Sequence, residues 1–212
     1  MLPKNNKATK TYQEARNESH ELLKRNVIEA ASNVLTTEGP AALTVRRIAQ
    51  ELGCSTKIIY SMFGSRDGLA NELYLEGCHY LRQAIEQIGF TTTPTEYLTK
   101  VGWAYWDFAQ HYSSHYKLMF SGALADFKPD ETSLQGTFTA LDLVLTTVSN
   151  YLQQGLLTPS EPILVVRMFW AALHGILNLH FGHQLDDVEE ARQLYAHMLE
   201  TLVPTFLSNK AS

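Results

Sequence analysis

VRRIAQELGCSTKIIYSMFG, residues 45–64, reads as two short helices joined by a tight turn. Thr44 stands where an N-cap is needed, because a threonine hydroxyl can accept from an exposed amide of the first turn. The helix it opens, Val45–Leu52, stops at Gly53, the residue that takes a left-handed turn without a Cβ penalty. Ser55 is placed to cap the second helix, which runs from Thr56 to about Met62. Ala49 is small enough for two steeply crossed helices to touch, and Ile48, Leu52, Cys54 and Ile59 supply a shared apolar wedge. Thr56, Lys57, Tyr60 and Ser61 are left facing outward, a polar strip of the kind that a helix-turn-helix lays in a DNA major groove.

Working outward, apolar residues recur at helical spacing almost everywhere, and strand alternation is nearly absent. The expected class is all-α with about nine helices. The first twenty residues are polar and are read as a mobile arm, with Lys4, Lys7 and Lys10 free to reach a polyanion. A first helix is expected over Glu21–Glu38, with Leu22, Leu23, Val27, Ala30, Ala31, Val34 and Leu35 inward, ended by Gly39-Pro40. After the helix-turn-helix come expected helices over Arg66–Ile88, Thr95–Tyr112, Ser114–Ser121, Glu131–Leu156, Glu161–Gly182 and Val188–Phe206, with a kink or break at Pro204. In the Glu131 helix, Leu134, Phe138, Leu141, Leu145, Val148 and Leu152 recur at alternating four- and three-residue steps. The window Ile163–Phe181 is the most apolar, yet Arg167, His174, Asn178 and His180 interrupt it, so it is read as a soluble helix and no membrane partner is expected.

Composition sets further bounds. Two cysteines without CxxC spacing point to a reduced, cytoplasmic setting, and the lysine-bearing start lacks the apolar run of a signal peptide. Residues 1–70 hold ten Lys/Arg against seven Asp/Glu, whereas residues 71–212 hold seven against fifteen. Contact with phosphates therefore belongs to the front of the chain.

The flanks of the opening stretch extend the pattern. Ser55, Ile59, Tyr60, Phe63, Gly64, Ser65 and Leu69 match the DNA-binding domain of the tetracycline-repressor (TetR) family, Arg66 stands in for its Lys, and Asp67 keeps its first acid. The segment from about 21 to 80 resembles that domain. WAYWDFAQHYSSHYKLMF and MFWAALHGILNL look like the ligand-binding half of one TetR subgroup. Two residues depart: Ser61 replaces a frequent aromatic and Met62 a frequent His, and a thioether cannot make the phosphate contact of that His.

The resemblance implies a bacterial regulator, cytoplasmic and associated with the nucleoid. Its expected units are the arm 1–20, a DNA-binding unit 21–66, and a ligand-binding and dimerisation unit 67–212. Thr44 would turn a helix N-terminus toward phosphate. Arg46 carries a forked guanidinium suited to guanine O6 and N7, the use that the family's namesake makes of an arginine here. Thr56 and Lys57 are the next base readers. Ser55 and Ser61 complete the polar strip, and Tyr60 and Arg66 would hold the backbone. The partners implied are a palindromic double-stranded operator, a second copy docked through the last two helices, and a small, largely hydrophobic ligand. Trp103, Trp106, Phe120, Phe138, Leu141, Trp170 and His174 are the candidates to line its cavity, although aromatics at this spacing also serve as plain core.

Rival classes have less to stand on. No glycine-rich phosphate loop, GxSxG elbow, HExxH or paired carboxylates are present, so no catalytic residues and no cofactor are expected. His111/His115 and His180/His183 have chelating spacing but no accompanying carboxylate or cysteine cluster, and no metal is expected. The alternatives kept open are a helical ligand-binding or adaptor protein with a degenerate DNA head, and a DNA binder without a ligand.

Overall fold

The computed structural model describes residues 11–89, 93–158 and 160–208. Among them are nine α-helices: α1 Tyr12–Glu38, α2 Val45–Leu52, α3 Thr56–Phe63, α4 Arg66–Glu86, α5 Pro94–His111, α6 Ser113–Phe120, α7 Glu131–Gln153, α8 Pro162–Phe181 and α9 Val188–Thr205. The all-α class stands; the extended pairing among the described residues is a single antiparallel bridge between Leu157 and Leu207.

Two apolar cores share one helix. The first gathers Val27, Ala31 and Leu35 of α1 with Ile48 and Ala49 of α2, Ile59 of α3, and Leu69 and Leu73 of α4. The second begins at the next residue of α4, Tyr74, and continues through Cys78, Leu81 and Ile85 into α5 and α7–α9. Leu118 of α6 and Leu124 after it reach back into the first core. Helix α4 is thus a beam set in both.

The structure corrects several expectations. Residues 12–20 are the start of α1, because Thr11 and Glu14 form a reciprocal capping box there. Residues 1–10, with Lys4, Lys7 and Lys10, lie outside the described residues. Leu22 and Leu23 are exposed, since α1 meets the core only from Val27 onward. Pro204 does not break α9, which runs on to Thr205; in the last turn a proline forfeits only one hydrogen bond. Helix α8 is, among the described residues, long and apolar enough to cross a membrane, and one third of its apolar window is buried in this chain. Its exposed stripe is Leu164, Met168, Ala171, Gly175 and Leu179.

Helix α7 carries two different faces. Its buried face is Ser133, Thr137, Ala140, Val144, Val148 and Tyr151. Of the residues that recur at four- and three-residue steps, only Val148 lies there, while Leu134 is 47% and Phe138 55% exposed. Small residues allow close approach to α4: a Cβ on Gly136 would lie 2.8 Å from Leu75 Cδ2 and 3.3 Å from Cys78 Sγ. The bulky stripe is left to form the wall of a cavity.

Candidate functional site

Thr44 Oγ1 accepts from the Arg47 amide at 3.2 Å, the cap that starts α2. Gly53 is left-handed at φ 62°, and the Cys54 amide donates to the Ala49 carbonyl at 2.9 Å, which closes the turn. Ser55 occupies the N-cap position of α3, but its hydroxyl makes no capping bond. Thr44, Arg46, Ser55, Thr56, Lys57, Tyr60 and Ser61 are all exposed on the α2–α3 unit, and Ser61 Oγ donates to the Ile58 carbonyl at 2.7 Å.

Four basic residues of this unit divide into two kinds. Arg47 is clamped between Glu38 (Nη2 to Oε1, 2.6 Å) and Glu51 (Nη1 to Oε2, 2.8 Å), which raises its pKa still further. Arg66 is held by Asp67 at 2.8 Å and donates to the Ala125 carbonyl at 3.0 Å, which ties α4 to the loop after α6. Arg46 and Lys57 have no ion-pair partner among the described residues. The structure therefore leaves Arg46 and Lys57 on one exposed unit with their charges uncommitted, and turns Arg66 toward the seam between the cores. Met62 is partly buried against the first core, and its thioether has no donor to offer a phosphate at that position.

A cavity of about 560 Å³ opens between α7 and α8. Phe138, Leu141 and Leu145 of α7 face Ile163, Val166 and Trp170 of α8 across it, and Tyr74 of α4 with Met119 and Phe120 of α6 closes the inner end. Tyr74 Oη and Thr137 Oγ1 lie 2.9 Å apart there and share a hydrogen bond. Arg167 and Asp142 are its one basic and one acidic lining residue.

Two family models match this chain. "Bacterial regulatory proteins, tetR family" covers residues 27–73, and "Tetracyclin repressor-like, C-terminal domain" covers residues 98–202. The chain belongs to the TetR family. A TetR-family chain is a transcriptional regulator, and no enzyme family is indicated. An uncharacterized HTH-type transcriptional regulator of Mycobacterium tuberculosis is 23% identical over 168 residues, 79% of this chain and 74% of that one. In fold, the chain resembles a protein of unknown function from Rhodococcus sp. RHA1, with TM-score 0.74, 21% identity, and 88% and 96% of the two chains covered. It also resembles the transcriptional regulator FadR of Bacillus subtilis, solved in complex with stearoyl-CoA, with TM-score 0.63, 17% identity, and 86% and 99% covered.

In this TetR-family chain, Phe120, Phe138, Leu141 and Trp170 line the cavity as the sequence suggested, whereas Trp103, Trp106 and His174 do not. Trp103 packs on Tyr195 beneath the Arg192 guanidinium, and Trp106 is buried between Tyr195 and His180. His174 sits behind the cavity wall. The Tyr105 and Tyr116 hydroxyls are 3.2 and 2.9 Å from its Nδ1, and Asn178 Nδ2 is 2.8 Å from its Nε2. Trp170 Nε1 donates to Tyr105 Oη at 3.1 Å, so the network reaches the lining through that indole. Burial lowers the His174 pKa and keeps the ring neutral, and it pushes the Tyr105 and Tyr116 hydroxyls upward.

Sequence reasoning missed Tyr74, Thr137, Val166 and Arg167. Nothing local to Tyr74 announces that a cavity ends on it. Arg167 interrupts an apolar run and was the available signal. His111 Nδ1 lies 2.8 Å from the Asp107 carbonyl, while His115 Nε2 is 2.9 Å from Glu76 Oε2, so these two rings have different partners.

Proposed function

We propose that this regulator is a repressor, released from a palindromic operator by a small, largely hydrophobic molecule bound between α7 and α8. The observation that carries the DNA half is the pair of uncommitted cations, Arg46 and Lys57, on the exposed helix-turn-helix while Arg47 is neutralised within the fold. Arg46 and Lys57 read base edges with Thr56, while Thr44, Ser55, Tyr60 and Ser61 position the backbone. Arg66 adds a phosphate contact only by exchanging its hold on Asp67 and Ala125. The DNA-binding unit is residues 21–66, extended toward the N-terminus by the first turns of α1, and the effector and dimer unit is 67–212.

The cavity supports the ligand half, being of the size and apolar character of a small-molecule site. FadR, which shares this fold, was solved with an acyl thioester bound. The exposed stripe of α8, with Leu194 of α9, supports a two-fold dimer. Such a dimer sets two recognition helices about 34–36 Å apart, one DNA turn, in the bacterial cytoplasm at the nucleoid. Fluorescence anisotropy on duplexes tiled across the gene's own upstream region tests the reading. Binding should centre on one near-palindrome and weaken steeply with salt. Equal, weak binding to every duplex would instead favour an adaptor with a degenerate head.

A further inference from the structure

We infer that the effector is an amphiphilic anion, an apolar chain ending in a carboxylate or phosphate, with Arg167 as its head-group residue. The inference rests on the reading of the α7–α8 cavity as the effector site. Inside that cavity the buried polar side chains engage one another or the core, and the other polar side chains of the lining, Gln135, Thr139, Asp142 and Arg167, are exposed. Tyr74 Oη and Thr137 Oγ1 bond each other, and the Trp170 indole N–H is given to Tyr105. A polar group buried there would lose its water and have to compete with those bonds for a partner, at a cost that few ligands recover. Whatever polarity the ligand carries must therefore sit at the rim.

At the rim is Arg167, exposed and without an ion-pair or hydrogen-bond partner among the described residues. A guanidinium presents a planar fork of donors matched to the two oxygens of a carboxylate or phosphate, and it is weakly hydrated for a cation, so it gives up water readily beside apolar walls. Its neighbours on the wall are Ile163, Val166 and Trp170, which would hold the start of the chain. A volume of about 560 Å³ takes roughly 19 non-hydrogen atoms at the ~30 Å³ that a water molecule occupies in the liquid. A medium-length chain fits. Asp142 is the one carboxylate on the lining and forms no ion pair with Arg167, so it weakens an anion's hold without cancelling the site.

Isothermal titration of the full-length protein with decanoate, decyl phosphate, decanol and decyltrimethylammonium, each below its micelle-forming concentration, decides the matter. Both anions should bind about tenfold tighter than decanol. Arg167→Gln should erase that preference while leaving decanol affinity unchanged, Arg167→Lys should keep part of it, and Asp142→Asn should tighten both anions. Equal binding of decanol and the anions, tightest binding of the ammonium probe, or an Arg167→Gln protein that keeps the preference would overturn the anionic class while leaving the cavity as a site. If none of the four binds, the cavity reading itself fails.

Discussion

Arg46 and Arg47 are adjacent and chemically identical, yet the fold gives them opposite situations. Arg47 faces Glu38 and Glu51, and Arg46 faces solvent with its charge uncommitted. Arg46→Ala and Lys57→Ala should each lose roughly 1–3 kcal/mol of discrimination between the operator and a scrambled duplex, measured by competition anisotropy. Arg47→Ala should leave that discrimination intact, and a large loss there would move the reading face. A second contrast concerns protons. His174 is neutral in the fold, with its pKa below the ordinary 6.5 because burial disfavours the imidazolium. The unfolded chain protonates it first as pH falls, so the unfolded state binds more protons just below pH 6.5 and stability declines there, while above that value the residue contributes no slope. Thermal unfolding followed between about pH 5 and 8 should show this acid limb, and His174→Gln should flatten it. The sequence disclosed that His174 was a polar group in an apolar helix, but not that two tyrosines and Asn178 had claimed it, because those partners are brought together only by packing.

Among the elements, the helix-turn-helix was readable except for the Ser55 hydroxyl, which makes no capping bond, since the Thr44 cap, the left-handed glycine and the wedge are local. Helix α7 was not. Its apolar repeat is real, but periodicity cannot distinguish a face that meets another helix from a face that lines an opening. The deciding feature is the small face of Ser133, Thr137 and Ala140, where α4 draws near. Close approach elsewhere on α4 gives a test. A Cβ at Gly77 would lie 2.5 Å from Met119 Sδ and 3.3 Å from His115 Cβ on α6. Gly77→Val should therefore overpack the α4–α6 seam and lower stability by about 1–3 kcal/mol in urea unfolding. An unchanged midpoint would mean that α6 yields freely, and with it the inner wall formed by Met119 and Phe120.

For the molecule as a whole, the exposed stripe of α8 is the feature that one chain leaves unfinished. Met168→Glu would bury a charge in the proposed two-fold interface, so sedimentation should show monomers and operator affinity should fall together; a charged variant that still dimerises would place the interface elsewhere. The charge asymmetry along the sequence agrees with the helix-turn-helix lying at the front, but the close dependence of the two ends on each other was not visible, because it runs through contacts such as Leu118 and Leu124 with the first core. That dependence bears on how such proteins can be recombined. A DNA-reading segment excised at residue 73 would leave its own core open where Leu118 and Leu124 had filled it, and would cut α4 between Leu73 and Tyr74, the point where one core gives way to the other. The reading head is therefore not a cassette. A chimera that borrows this head for another sensor must carry α4 whole, together with α6 and the loop through Phe127, and swaps that respect only the boundary of sequence similarity should yield insoluble chains.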